Sequence, residues 1–480
     1  MNFNMSVNIG KIILAMLHSC VLSACLDDTN TSLNDGYILP GSDWSDLLAN
    51  ESGYIIDEGL SSGWSKKKIV RPDSNGLKSP FFDALQSPDG NIHFVYYNYG
   101  GQKDEKGQFQ FNLKHLEWNP TTQESHMGRA SATIETVNHS DQMSLAQDAQ
   151  GQMYLAYRGG EIKACNGAKV LADAMFSVFD GDTWHPYLGA QGYVARSGGP
   201  FMDGHAGSKV EVAVDSQSNV HLIYQYMYEG CDATNFAFPD LFYVHKQPFQ
   251  FAQDNRDAST IEEQISGNDY VTGGNFQNDT GAITDIVIDQ YDSPVIFYYE
   301  QSATLSKGLY VSYKENGEWV KETINSECIV SDVSAVINKN DDLYVAYVAQ
   351  SCENDPDTRF SLRFAKKITS SELQTGWQDT YLEEGVLVGG LGRHLDMALD
   401  SNEKPVIVYF ELATYTDVEL NTLKLIRFND TWQPSKTLLS QGFHIGLHNK
   451  VWLGFDGKLN VASFSQDDGA IYLLSERHLY

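Results

Sequence analysis

The chain has 480 residues, 42% of them hydrophobic, and carries 33 Lys+Arg against 63 Asp+Glu, a net charge of −30. That balance argues against a nucleic-acid binder, since phosphate contacts need Lys and Arg, and against general attraction to an anionic membrane surface. Aromatic residues at 12% argue against disorder, and 40 Gly suit a fold with many tight turns.

At the N-terminus Lys11 precedes the apolar run Ile12–Leu17, followed by Val21-Leu22-Ser23-Ala24-Cys25. A short apolar stretch ending in small residues reads as a secretory signal, too short to span a membrane as a mature helix. Leu22-Ser23-Ala24-Cys25 resembles a bacterial lipobox. The resemblance implies cleavage after residue 24, lipidation of Cys25 and, with Leu26 next, sorting to the outer membrane, on its periplasmic or cell-surface face. The polar residues 25–60 read as a flexible tether. Residues 61–480 form the folded part.

One unit then repeats along the chain. Its signature is a strand-length apolar segment ending in Tyr: Ile92–Tyr96, Met153–Tyr157, Val220–Tyr224, Pro294–Tyr298, Leu343–Tyr347 and Pro405–Tyr409. Leu459–Ser463 is a weaker seventh copy. A turn precedes each copy, from Ser87-Pro88-Asp89-Gly90 and Asp148-Ala149-Gln150-Gly151 to Asp456-Gly457. Asp, Asn and Gly there supply local hydrogen bonds and positive φ. Another strand lies before each turn, and a third and a Trp-bearing fourth follow, such as Leu309–Lys314 with Trp319–Thr323, and Leu423–Phe428 with Trp432–Leu438. The unit is a four-stranded antiparallel meander, apolar on both faces, so copies must stack. Seven such sheets predict an all-β, seven-bladed β-propeller. The segment Trp64–Val70 resembles the missing outer strand of the last unit and is expected to complete blade seven. A pair of β-sandwiches is the runner-up.

Cys165, Cys231, Cys328 and Cys352 are an even set in an exported chain. Their positions in the meander predict disulfides Cys165–Cys231 and Cys328–Cys352. They lack the close spacing of a zinc site, and no metal ligand set is read from the chain.

In a propeller the loops entering the first strand and leaving the second converge at one mouth of the channel. Those loops carry His139 and Arg158 in blade two, and His205 and Tyr226 in blade three, with Tyr193 and Arg196 between them. Lys209, Arg393, His394, His444 and His448 belong to the same end. Arg158 follows the repeated Tyr, where the other blades have Tyr97, Gln225, Tyr299, Val348, Phe410 and Phe464, so it is that column's lone charge. A base, a proton donor and a cation in one cleft suit β-elimination of a uronate polysaccharide. His139, Arg158, Arg196, His205 and Tyr226 are the candidate catalytic residues, and Tyr193, Lys209 and His394 the candidate substrate-binding ones. From Tyr157 to Lys209 acids and bases balance, so the net charge does not exclude an acidic glycan there. His93 and His221 lie within the repeated strand and read as structural.

A second series precedes the turns on the inner strands: Asp83, Glu211, Asp285 and Asp396, with Ser144, Ser334 and Trp452 in the other blades. It could bind a cation such as Ca²⁺, which prefers oxygen ligands. Pairing with the backbone or cations of a neighbouring blade is the favoured reading, so no cofactor is assigned.

Sialidases, also propellers, repeat Ser-x-Asp-x-Gly-x-x-Trp turns; Ser87-Pro88-Asp89-Gly90 lacks the following Trp, and no Arg-Ile-Pro motif occurs. In blade number, size, export and a mouth of His, Tyr and Arg, the chain resembles the ulvan lyases. That resemblance implies two His near the ends of one blade's inner hairpin. Here the first place holds His139 and the second Arg158 or Gly159. The expected function is therefore a surface-anchored, monomeric polysaccharide lyase acting on an acidic polysaccharide. The alternative is a non-catalytic propeller lipoprotein that binds glycan or protein partners.

Overall fold

A computed structural model describes residues 63–70, 81–103, 109–122, 124–125, 133–137, 142–159, 162–163, 169–170, 173–190, 194–195, 202–230, 240–248, 262–266, 279–301, 307–350, 360–368, 376–384, 395–412, 421–439, 445–465 and 469–477. The signal segment, Cys25 and the tether lie outside these residues.

Seven antiparallel sheets of four or more strands, built from successive stretches of chain, make seven blades. Blade two shows the plan. Its inner strand Ser144–Gln147 pairs with Met153–Gly159, then Asp173–Phe179, then Trp184–Ala190 at the outer edge. In blade seven the inner strand is Ile445–Leu453, and Trp64–Val70 pairs with Ala470–Glu476, Trp64 opposite Glu476. Each inner strand touches the inner strand of the blade before it and the blade after it, blade seven against blade one included.

The hydrophobic core is divided accordingly. Seven buried clusters lie between adjacent blades, as with Phe94 and Phe464 between the first and last blades, a cluster that Phe410 of blade six also joins. A sheet apolar on both faces has to be covered on both, and radial stacking does this without an open end. The repeated tyrosines 157, 224, 298, 347 and 409 are fully buried. Tyr298 shares a hydrogen bond with Ser312 at 3.1 Å, and Tyr347 accepts one from Asn325 at 3.1 Å. Packing between blades is tight enough to require glycine in places. A Cβ on Gly189 would stand 2.4 Å from Leu222 Cδ2 of blade three and 2.8 Å from Ala174 O. Gly189→Ala is expected to cost about 1–3 kcal/mol by overpacking, read as a lower denaturation midpoint.

The hairpin turns form a ring at one end of the channel. In each, the fourth residue has positive φ: Gly90, Gly151 and Gly457 in three blades, but Ser218, Asp292, Asp341 and Glu403, all near +60°, in four. A non-glycine residue costs about 1–2 kcal/mol there. The side chains offset that cost by reaching the preceding blade's turn. Asp292 accepts from Ser216 N at 2.9 Å and Ser216 Oγ at 2.7 Å, Asp341 accepts from Gln290 N at 3.2 Å, and Ser218 Oγ donates to Asp148 at 2.7 Å.

Two sequence readings need correction. The fourth strand of blade six, expected as one run from Trp432 to Leu438, is split into Thr431–Trp432 and Lys436–Leu439. Pro434 lies in the break and has no N–H to give the ladder. The turn of blade seven begins at Gly454, with Gly457 N donating to Gly454 O as in the other turns. Its first residue is glycine because Asp456, Asn460 and Gln86 of blade one fill the space a side chain would take. The inner-strand residue aligned with Asp83 is therefore Lys450, opposite Ala462, and not Trp452.

Candidate functional site at the channel mouth

The inner-strand acidic series is committed to the fold. Asp83 accepts from Ala84 N at 2.7 Å and, across the blade boundary, from Leu145 N at 2.7 Å. Asp285 takes Ala335 N of blade five at 2.7 Å, and Asp396 takes Val451 N of blade seven at 2.7 Å. Ser144 and Ser334 accept from Val212 N and Met397 N of the next blade. Glu211 accepts from Gln142 of blade two. Lys450 of blade seven meets Asp83 of blade one at 3.2 Å. The oxygens read as possible Ca²⁺ ligands thus hold one blade to the next, by pairing with the neighbour.

Two residues earlier in the chain than this series, and nearer the mouth, lie Phe81, Gln142, Lys209, Ile283, Asp332 and His448. This column was missed in the sequence; its signal was the offset from the acidic series. His394 lies outside the described residues. The strand pairing slips just before Lys209 and His448, between Ala206 and Val210 and between Ile445 and Asn449. Such bulges re-aim side chains at a strand end. Lys209 Nζ stands 5.9 Å from the Phe81 ring centroid, although the two belong to blades three and one. The His448 ring packs on Phe82 at 4.8 Å and Phe81 at 6.0 Å, and is buried. Asp332 is turned to structure, accepting from Leu395 N at 2.9 Å.

Arg158 is opposite Ala174 near the mouth end of blade two's second strand and is half-buried. Its column otherwise presents buried Tyr97, Gln225, Tyr299, Val348, Phe410 and Phe464. Of the other predicted site residues, His205 and Tyr226 are placed by backbone only. His205 lies opposite Met227, and Ala206 opposite Tyr226, so the two candidates are one register step apart. His139, Tyr193 and Arg196 lie outside the described residues, as do Cys165, Cys231 and Cys352. The described mouth thus joins a lysine and an aromatic ring, with Arg158 near the same end of blade two, while the inner-strand acids are occupied by amides and by Lys450.

No protein-family model matches the sequence. No curated protein sequence matches it. Among solved structures, a polysaccharide lyase described as an ulvan lyase, bound to -[GlcA(1-4)Rha3S]-, superposes with a TM-score of 0.50 at 12% identity, covering 85% of this chain and 95% of that one. The chain shares its seven-bladed architecture. A second structure described as an ulvan lyase of a polysaccharide lyase family gives a TM-score of 0.48 at 13% identity, covering 88% and 94%. A Hadza microbial sialidase gives 0.41 at 10% identity, covering 77% and 74%.

His93 and His221 sit at the opposite, turn end. His93 shares hydrogen bonds with Ser87 Oγ at 2.8 Å and His115 at 2.9 Å; His221 does so with Asp215 at 3.2 Å and Tyr243 at 2.8 Å. Burial holds His93 down to about 4, His115 to about 3 and His221 to about 4. All three are neutral imidazoles at neutral pH, far from the mouth.

Proposed function

We propose that the chain is a surface-anchored polysaccharide-degrading enzyme, a lyase that cleaves an acidic, uronate-containing, ulvan-like polysaccharide by β-elimination. The observation that carries the reading is the charge arrangement at the mouth. On a scaffold of net charge −30, Lys209 stands over Phe81 with Arg158 on the next blade, while the neighbouring acids are consumed by backbone amides. A propeller shared over most of its length with an ulvan lyase supports the same substrate class.

In this reading Arg158 and Arg196 neutralise the uronate carboxylate and so acidify the adjacent C–H. His139 or His205 removes that proton, the electron pair forms the C=C bond, and the glycosidic oxygen leaves with a proton from Tyr226. Tyr193, Lys209 and His394 hold the chain of sugars. Cys25 carries the lipid that anchors the protein to the outer membrane, and the disulfides Cys165–Cys231 and Cys328–Cys352 brace the loops. Support for the second pairing is that Cys328 is fully buried and disulfide-bonded.

Incubating the protein with ulvan and other uronate polysaccharides and following ultraviolet absorbance of the new double bond tests the proposal. Arg158→Ala is expected to lower the rate about 10²–10³-fold. Silence on every uronate substrate overturns the lyase reading. A non-catalytic glycan-binding platform is the second reading, favoured by the tie between Glu211 and Gln142 and the burial of His448. It is identified by saturable binding without product.

A further inference from the structure

Blade three carries at its turn end a combination that no other blade repeats. Asp215 begins the turn, His221 lies on the second strand and His245 is directly opposite it on the third. One ligand atom from each lies within 4.8 Å of the other two. We propose that Asp215, His221 and His245 form a binding site for one divalent transition-metal ion of the zinc class.

The donor set argues for that class. Two imidazoles and one carboxylate suit Zn²⁺ and its neighbours, whereas Ca²⁺ and Mg²⁺ prefer all-oxygen shells. Around Zn²⁺, bonds of about 2.0–2.2 Å put neighbouring ligand atoms about 3.4 Å apart. Asp215 Oδ2 and His221 Nε2 are already 3.2 Å apart. The His245 ring is 4.8 Å from that of His221, and His245 is exposed, so its side chain has room to adjust and solvent can take a fourth position.

The surroundings also fit. Tyr243 OH is 2.8 Å from His221 Nδ1, the second partner that orients a metal-ligating histidine. With no ion present, Nε2–H donates to Asp215 and Nδ1 accepts from Tyr243. On metal binding the imidazole proton moves to Nδ1 and donates to the Tyr243 oxygen, so no proton need leave. Asp215 Oδ1 is held by Gln217 N at 2.9 Å and Asn219 N at 2.8 Å, which fixes the carboxylate. Lys314, a cation that acts on His245, is paired with Glu263 at 2.7 Å.

The comparison among blades separates this from turn chemistry. Asp148 and Asp289 begin their turns with the same backbone bonds, yet the residues that correspond to the His221–His245 pair are Tyr154 with Val178, and Val295 with Tyr313. The histidine pair adds nothing that those turns need.

The test uses the full chain without a histidine tag, treated with chelator and titrated with Co²⁺ and then Zn²⁺. One equivalent of Co²⁺ should give a visible d–d band that Zn²⁺ abolishes. His245→Ala and the more conservative His245→Gln should each weaken binding by more than about a hundredfold, and Tyr243→Phe by about tenfold. His185→Ala, which removes an exposed histidine paired with Asp180 in blade two, should change nothing. Absence of the band, or a band that survives both His245 variants, overturns the site.

Discussion

Asp83→Ala should destabilise the protein by about 3–5 kcal/mol, the largest loss expected from any single substitution at the channel wall. Asp83 is 4% exposed and serves three donors: its neighbour Ala84 N, Leu145 N of blade two and Lys450 Nζ of blade seven. Truncation leaves two buried amides without this acceptor and takes the carboxylate from beside the Lys450 ammonium, and unsatisfied groups cost more than a satisfied bond contributes. Lys450→Met removes one of the three and leaves Asp83 with both amide bonds, so its cost should be about 1–2 kcal/mol. Asp285 makes the same amide bonds, to Ile286 N at 2.8 Å and Ala335 N at 2.7 Å, and provides the comparison within the chain. Denaturant midpoints for the single variants and for Asp83→Ala with Lys450→Met give the coupling between the first and last blades. Equal costs for Asp83→Ala and Lys450→Met would refute this account.

The second large effect is acid sensitivity from the buried histidine pair of blade one. His93 and His115 are each 4% exposed and bonded to each other, with Phe179 and Trp184 packed edge-on or tilted around them. The acidic group that faces them is Asp89, through Ser87. Burial lowers the folded-state values to about 4 and about 3, from 6.5 for an ordinary histidine. The unfolded chain therefore takes up protons first as pH falls, so stability rises with pH in this window. The contribution is complete above pH 6.5 and is lost as pH falls toward about 4, amounting to about 3 kcal/mol for His93 alone. Blade six suggests the control. Its residues at these two positions are Val406 and Leu425, both buried. His93→Val with His115→Leu should keep the packing and flatten the stability profile between pH 6.5 and 4. Parallel profiles for the variant and the parent would show that the pair stays out of the titration.

The fold was legible because its signals are local. Alternation in Val220–Tyr224 or Leu343–Tyr347 and the Asp, Asn and Gly of the turns each need only a few neighbouring residues, and seven copies reinforce one another. Blade seven shows where this stopped. Asp456 mimics the turn-opening Asp of the other copies, but the space that makes Gly454 the opener is shaped by Gln86 of blade one. The candidate site was legible in part. Arg158 was selected by its place in the repeat and Lys209 by the balanced charge of the segment from Tyr157, whereas Phe81 could not be joined to Lys209 without the closure of blade one beside blades two and seven.

The sequence by itself determined the strands, the turns, their number and hence the propeller, because these depend on side-chain alternation and on backbone preferences within a hairpin. Only the tertiary structure decided which polar groups meet. It tied Asp83 to Leu145 and Lys450, set His93 against His115, and brought Asp215, His221 and His245 together. Cross-strand register and the stacking of one blade on the next set those distances, and neither is encoded within any single repeat.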